Sequence, residues 1–114
     1  MLGSVNSIYL ASMPIDMRKS IDALSALVNG EFNQNPCSGS WYVFYNRGRN
    51  KIKMLYFDRN GFVLFYKRLE KGRFILRNCK DPLSAISLLE LQVLLAGVDI
   101  QTLKIPKRLE YSIS

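Results

Sequence analysis

The sequence predicts an α+β domain, an antiparallel β-meander sheet with two helices packed on one face. Three observations carry this. Three runs rich in aromatic and β-branched residues, Trp41 to Tyr45, Lys51 to Phe57 and Phe62 to Leu69, follow one another through short links, and short links force antiparallel neighbours. Apolar residues recur at helical spacing in two further segments, one on each side of these runs. A chain of 114 residues, 48% of them hydrophobic, can bury one core and is too short for two ordinary domains.

The elements follow in chain order. Ser7 to Ala11 reads as a short strand, and Pro14 punctuates the chain after it. Ile21, Leu24, Leu27 and Val28 place an amphipathic helix over about Met17 to Asn29, with Asp16 or Ser12 as its cap and Gly30 at its end. Asn33 to Ser40 has loop composition. Asn46 to Asn50 is a hairpin loop with a central glycine. Asp58 to Gly61 contains Asn-Gly, a hairpin signal because both residues tolerate positive φ. Glu70-Lys71-Gly72 leads into a fourth short strand-like run, Arg73 to Leu76. Ser87 and Glu90 have capping-box spacing and start a second helix, with Leu88, Leu91 and Leu95 on one face, Leu94 beside them and Gly97 at its end. Residues 1–100 are expected to form the domain. Residues 101–114, with Lys104, Lys107 and Arg108, are expected to form a basic, flexible tail. No internal repeat or low-complexity tract interrupts this order.

Composition excludes several classes of function. No apolar run approaches the ~18 residues of a membrane span, and the first residues lack a charged start followed by an apolar stretch. The expected location is the cytoplasm, with no membrane partner. The chain has no histidine, and Cys37 and Cys79 match no metal-ligand spacing, so neither metal nor cofactor is expected. Without histidine, a nucleotide-type Gly-rich loop or a nucleophile–base pair, the sequence does not read as an enzyme. Each of its acids (Asp16, Asp22, Asp58, Glu70, Asp81, Glu90 and Asp99 among them) has a turn, cap or ion-pair explanation.

Charge is more informative. The net charge is +7, and the stretch from Arg47 to Arg77 alone holds ten basic residues and two acidic ones. So concentrated a positive field points to an anionic partner, with nucleic acid foremost. Alternation puts Lys51 and Lys53 on one face of their strand and Ile52, Met54 and Tyr56 on the other. Because the hairpin folds back on itself, Arg47 and Arg49 should lie near Lys67 and Arg68, gathering the cations at one edge of the sheet. The candidate nucleic-acid-binding residues are Arg18 and Lys19 at the first helix start, then Arg47, Arg49, Lys51, Lys53, Lys67, Arg68, Lys71 and Arg73. The interleaved aromatics, Trp41, Tyr42, Phe44, Tyr45, Tyr56, Phe57, Phe62, Phe65 and Tyr66, are read as sheet packing rather than as a base-stacking platform. Neither helix is basic enough to read bases, so the contact expected is to backbone phosphate.

Several blocks resemble a known family. Pro14-Ile15-Asp16-Met17-Arg18-Lys19-Ser20 is similar to its opening signature. Ser38-Gly39 and Val43-Phe44 follow, then Arg47, Arg49 to Lys53 and Leu55 to Asp58. Gly61-Phe62 and Tyr66 to Phe74 resemble its most distinctive run, and Ser87, Leu91 to Gly97 and Asp99 its close. Ile15 and Leu88 depart from the pattern at two helix starts. The resemblance, over about Val5 to Asp99, is to the TnpB accessory proteins of IS-sixty-six-type bacterial insertion sequences, not to the RNA-guided nuclease of the same name. It implies a non-catalytic protein encoded by a mobile element and working beside a co-encoded transposase. Two readings follow. One is a DNA-binding accessory factor, associated with the nucleoid. The other is an adaptor that binds the transposase or a second accessory protein through the aromatic sheet or the Leu-rich last helix.

Overall fold

The computed structural model describes residues 7–77 and 79–97. They form β1 (Ile8–Ala11), α1 (Ile21–Gly30), β2 (Trp41–Tyr45), β3 (Lys51–Asp58), β4 (Gly61–Arg68), β5 (Leu83–Ile86) and α2 (Leu88–Ala96). The strands make one sheet in the order β4-β3-β2-β1-β5. The meander β2-β3-β4 is antiparallel, as its short links require. Its second turn, Arg59-Asn60, joins the paired residues Asp58 and Gly61, and the positive φ falls on Arg59.

The sheet is nevertheless mixed, which corrects the purely antiparallel expectation. β1 lies parallel to β2, with Ile8 opposite Trp41 and Leu10 opposite Val43. A parallel pair needs a crossover, and the long connection containing α1 supplies it. β5 then pairs antiparallel with the other side of β1. The run Arg73 to Leu76, expected as a strand, is not one. Gly72, at φ 77°, turns the chain, and Phe74 buries its ring in the core while its N–H donates to the Arg49 carbonyl (2.6 Å). Its alternating apolar residues close the core instead of extending the sheet, because Arg68 already occupies the place beside Lys51.

Two cores follow from strand alternation. Ile8, Leu10, Trp41, Val43, Tyr45, Ile52, Met54 and Tyr56 pack on one face with Phe74 and with Leu91 and Leu94 of α2. Ala11, Tyr42, Phe44 and Leu55 pack on the other with Leu24 and Val28 of α1. The helices therefore serve opposite faces, which corrects the expectation that both share one. A sheet with apolar residues at both parities along β2 and β3 must be covered on both sides.

The helix ends show how local chemistry sets boundaries. α1 begins at Ile21, later than the spacing alone suggested, because Asp16 is committed upstream. Its side chain accepts from the Arg18 N–H (2.9 Å) and its carbonyl from the Lys19 N–H (3.0 Å), which makes a turn rather than a helix cap. Ile15, one of the two departures from the family pattern, packs against the α1 core. α2 has the full capping box. The Ser87 hydroxyl accepts from the Glu90 N–H and the Glu90 carboxylate accepts from the Ser87 N–H, both at 3.0 Å. Gly97 closes the helix at φ 75°. Cys37 and Cys79 are both exposed free thiols. No helix among the described residues is long and apolar enough to cross a membrane. The expected tail, 101–114, and Asp99 lie outside the described residues.

Two substitutions test this account. Ser87→Ala removes the reciprocal cap and should cost about 1 kcal/mol in denaturant unfolding. Phe74→Ala opens a cavity under the chain that crosses from β4 and should cost about 3–5 kcal/mol.

Candidate nucleic-acid interface

Strand directions decide where the loops go. β4 runs with β1 and β2, whereas β3 and β5 run against them. The carboxyl ends of β1, β2 and β4 and the amino ends of β3 and β5 therefore share one end of the sheet. The basic loops belong to that end, so the cations gather at strand ends rather than along a lateral edge. Backbone hydrogen bonds join these loops. The Ile15 N–H donates to the Tyr45 carbonyl (2.9 Å), the Leu69 N–H to that of Asn50 (2.7 Å), and the Ser12 N–H to that of Pro82 (3.0 Å).

The central loop, Asn46 to Asn50, is braced from within. The Asn46 side-chain oxygen accepts from the N–H groups of Asn50 (3.1 Å) and Lys51 (3.0 Å), and its amide donates to the Asn50 side chain (2.8 Å). Arg49 holds φ at 58° and donates its N–H to the Asn46 carbonyl (3.0 Å). A Cβ at Gly48 would come within 3.2 Å of the Asn50 side-chain oxygen, which would have to give way. Arg47 and Arg49 thus stand exposed on a rigid loop. Burial raises the pKa of the neighbouring Tyr45 phenol, and the positive charge of Arg49 works against that rise.

The ten candidate residues separate into three groups. Lys53 is a buried cation. Its ammonium donates to the carbonyls of Met17 and Lys19, each at 2.7 Å, and lies 5.6 Å from the Tyr66 ring centroid. It holds the turn that carries Arg18 and Lys19. Lys67 donates to the Leu95 carbonyl (2.8 Å) and so satisfies the last turn of α2. Both cations are occupied in holding the fold. Arg18 and Arg68 are exposed but paired, Arg18 with both oxygens of Asp16 and Arg68 with Glu70 (3.0 Å). The bond to Arg18 draws the Asp16 carboxyl down to about 2.

Lys19, Arg47, Arg49, Lys51, Lys71 and Arg73 have no ion pair or side-chain hydrogen bond among the described residues. Lys51 stands opposite Arg68 in the sheet, and Arg73 precedes Phe74, whose N–H bonds the Arg49 carbonyl. The loop before α1 and the chain after β4 flank the central loop on the two faces, so these cations form one rim across the sheet end. Lys80 joins them, exposed and two residues before Pro82. Sequence reasoning missed it because nothing local marks Leu83-Ser84-Ala85-Ile86 as a strand. Of the aromatics, Trp41, Tyr42, Phe44, Tyr45 and Tyr56 are buried in the sheet packing, while Phe65 and Tyr66 are exposed. No group of three or more His, Cys, Asp or Glu side chains among the described residues could hold a metal ion.

Comparison with known proteins bears on what such a rim serves. The sequence profile of a family described as "IS66 Orf2 like protein" matches residues 6–105. Two proteins of Sinorhizobium fredii (strain NBRC 101917 / NGR234), named "Uncharacterized protein y4jC" and "Uncharacterized protein y4hO", are each 34% identical over 92 residues. That is 81% of this chain and 79% and 80% of theirs respectively. No solved structure matches significantly.

The division of the cations can be measured. Lys53→Met leaves two inward carbonyls without their donor and should cost about 1–3 kcal/mol. Arg47→Ala and Lys71→Ala should stay within about 0.5 kcal/mol of wild type in the same unfolding assay. The Asp16–Arg18 pair gives a pH signature. The folded pKa, about 2, lies below the 3.8 of a free carboxyl, so the pair's contribution is complete above that value and is lost as pH falls through about 2. A titration of the Asp16 carboxyl by NMR should show its midpoint there.

Proposed function

The chain belongs to the IS66 Orf2-like protein family, and from that premise we propose that it is a non-catalytic accessory protein of insertion-sequence transposition that grips the phosphate backbone of DNA with the basic end of its sheet. The observation that carries this reading is the rim of Lys19, Arg47, Arg49, Lys51, Lys71 and Arg73, cations in no ion pair among the described residues, on loops joined by backbone bonds. Loops joined through their backbones bring these charges together before binding, so only the side chains remain to be ordered on an anion. Phosphate contacts position a protein without reading sequence. Neither helix carries a basic residue, so base-specific contact has no obvious reader. The family's setting beside a transposase makes element DNA the natural ligand.

A second reading has its own support. α2 exposes Leu88 and Leu89, at 55% and 51%, and Ile75 is exposed nearby in sequence to the chain that packs on its core. Exposed leucines on a short helix suit a protein partner such as the co-encoded transposase.

Fluorescence anisotropy with labelled duplex, over a range of salt, separates the two. Binding through the rim should lose affinity with a log–log salt slope of about −4 to −5, as expected for roughly five phosphate contacts. Alanine at Arg47, Arg49, Lys71 and Arg73 together should abolish it. Asp16→Asn releases Arg18 from its partner and should strengthen binding, steepening the slope by about one. Absence of binding even at low salt would leave the adaptor reading, which a pull-down with the transposase tests.

A further inference from the structure

Among the described residues, the outer side of β4 is an open sheet edge. β4 is the terminal strand of the sheet, eight residues long, and no described strand pairs with it beyond β3. Natural proteins protect such edges with proline, bulges, central charges or very short strands. The opposite edge, β5, is protected in this way: it has four residues and follows Pro82. β4 has no proline and no positive φ along its length, and its only charges, Lys67 and Arg68, come at its end.

Its polar groups can be assigned. The Leu69 N–H bonds the Asn50 carbonyl, in the same register that pairs Arg68 with Lys51. Alternation back along an antiparallel strand then directs the N–H and C=O groups of Lys67, Phe65 and Val63 to β3. Those of Arg68, Tyr66, Leu64 and Phe62 point outward.

We propose that this edge pairs with the same edge of a second copy of this chain, antiparallel about a two-fold axis at Leu64. Only residues whose polar groups point outward can face each other in hydrogen-bonded pairs, so the register is restricted. Leu64 meets Leu64, and Phe62 of each copy meets Tyr66 of the other. Between them, Val63 of each copy meets Phe65 of the other. Aromatic and β-branched residues thus stand opposite apolar ones on both faces, a favourable cross-strand arrangement. Phe65 and Tyr66, exposed at 37% and 51%, become covered.

The strand's own pattern suits a second copy, because its two cations fall outside the apolar centre of the symmetric pair. Under this symmetry Lys67 faces Gly61 and Arg68 faces Asn60, so no cation of one strand opposes a cation of the other even though the chain carries +7. The contact is isologous and closes on itself, so it yields a dimer and not a fibre. Two five-stranded sheets become one continuous sheet, and the axis turns the two basic ends away from each other. If those ends bind DNA, which rests on the function proposed above, one dimer holds two DNA segments apart at opposite ends. The pairing itself does not depend on that reading.

Sedimentation velocity of the full chain without nucleic acid, from low to high micromolar concentration, tests the pairing. The wild-type protein should sediment with the mass of two chains. Tyr66→Pro removes an outward N–H and leaves the bonds to β3 intact, and Phe65→Lys puts a charge at the middle of the edge. Each should halve the mass at every concentration while the circular dichroism spectrum is kept. If Tyr66→Pro does not fold, Phe65→Lys decides. A wild-type monomer throughout the range would overturn the proposal, as would a dimer that survives the substitutions, which would place the contact on α2 or another face.

Discussion

A strand that lies parallel to its neighbour must return to its starting end before it pairs, and in this protein the return is made by α1. The pairing of β1 with β2 fixes much else. It puts the exit of β1 at the same sheet end as the exit of β2, so the turn bearing Arg18 and Lys19 stands beside the loop bearing Arg47 and Arg49. The Ile15–Tyr45 backbone bond records that closeness. With β1 antiparallel to β2 and otherwise the same sequence, the first turn would lie at the far end and the rim would be split. The same pairing leaves one side of β1 open, and β5 fills it, drawing Lys80 to the basic end.

Lysine serves two opposite purposes in this arrangement. At the rim it is uncompensated charge. Lys53 and Lys67, by contrast, spend their ammonium groups on backbone carbonyls, one closing the turn before α1 and the other the last turn of α2. Buried polar groups must be satisfied, and a long flexible cation can reach carbonyls that the backbone leaves unpaired. No buried side-chain nitrogen or oxygen among the described residues lacks a partner. Two cations thus leave the pool that sequence counting assigns to a ligand, and they set the positions of others: the loop that Lys53 holds presents Lys19.

Local signals in the sequence proved readable where the physics is local. The meander was legible because alternation and short links constrain each other, and the α2 cap because Ser87 and Glu90 satisfy one another three residues apart. Sorting Trp41, Tyr42, Phe44, Tyr45 and Tyr56 into packing was legible too, since strands favour them, but Phe65 and Tyr66 on the outer strand are exposed. The parallel pair was not, because it joins Ile8 to Trp41 across a connection that carries no register signal of its own. β5 was hidden by a sequence of small and mixed residues whose strand character comes from lying beside β1. Arg73 to Leu76 had the right alternation but no free neighbour to pair with. The candidate site was legible as a list of charges and illegible as a division of labour, because only three-dimensional contacts distinguish Lys53 from Lys51.

The proposed phosphate-binding surface joins three loops from separate parts of the chain. Backbone amide shifts of labelled protein, followed by NMR during titration with a short DNA duplex, test this most directly. Lys19, Arg47 to Arg49 and Lys71 to Arg73 should move together, with a common apparent Kd, while α2 and the Asp58 to Gly61 turn stay fixed. Shifts confined to one loop, or centred on α2, would contradict a joint surface.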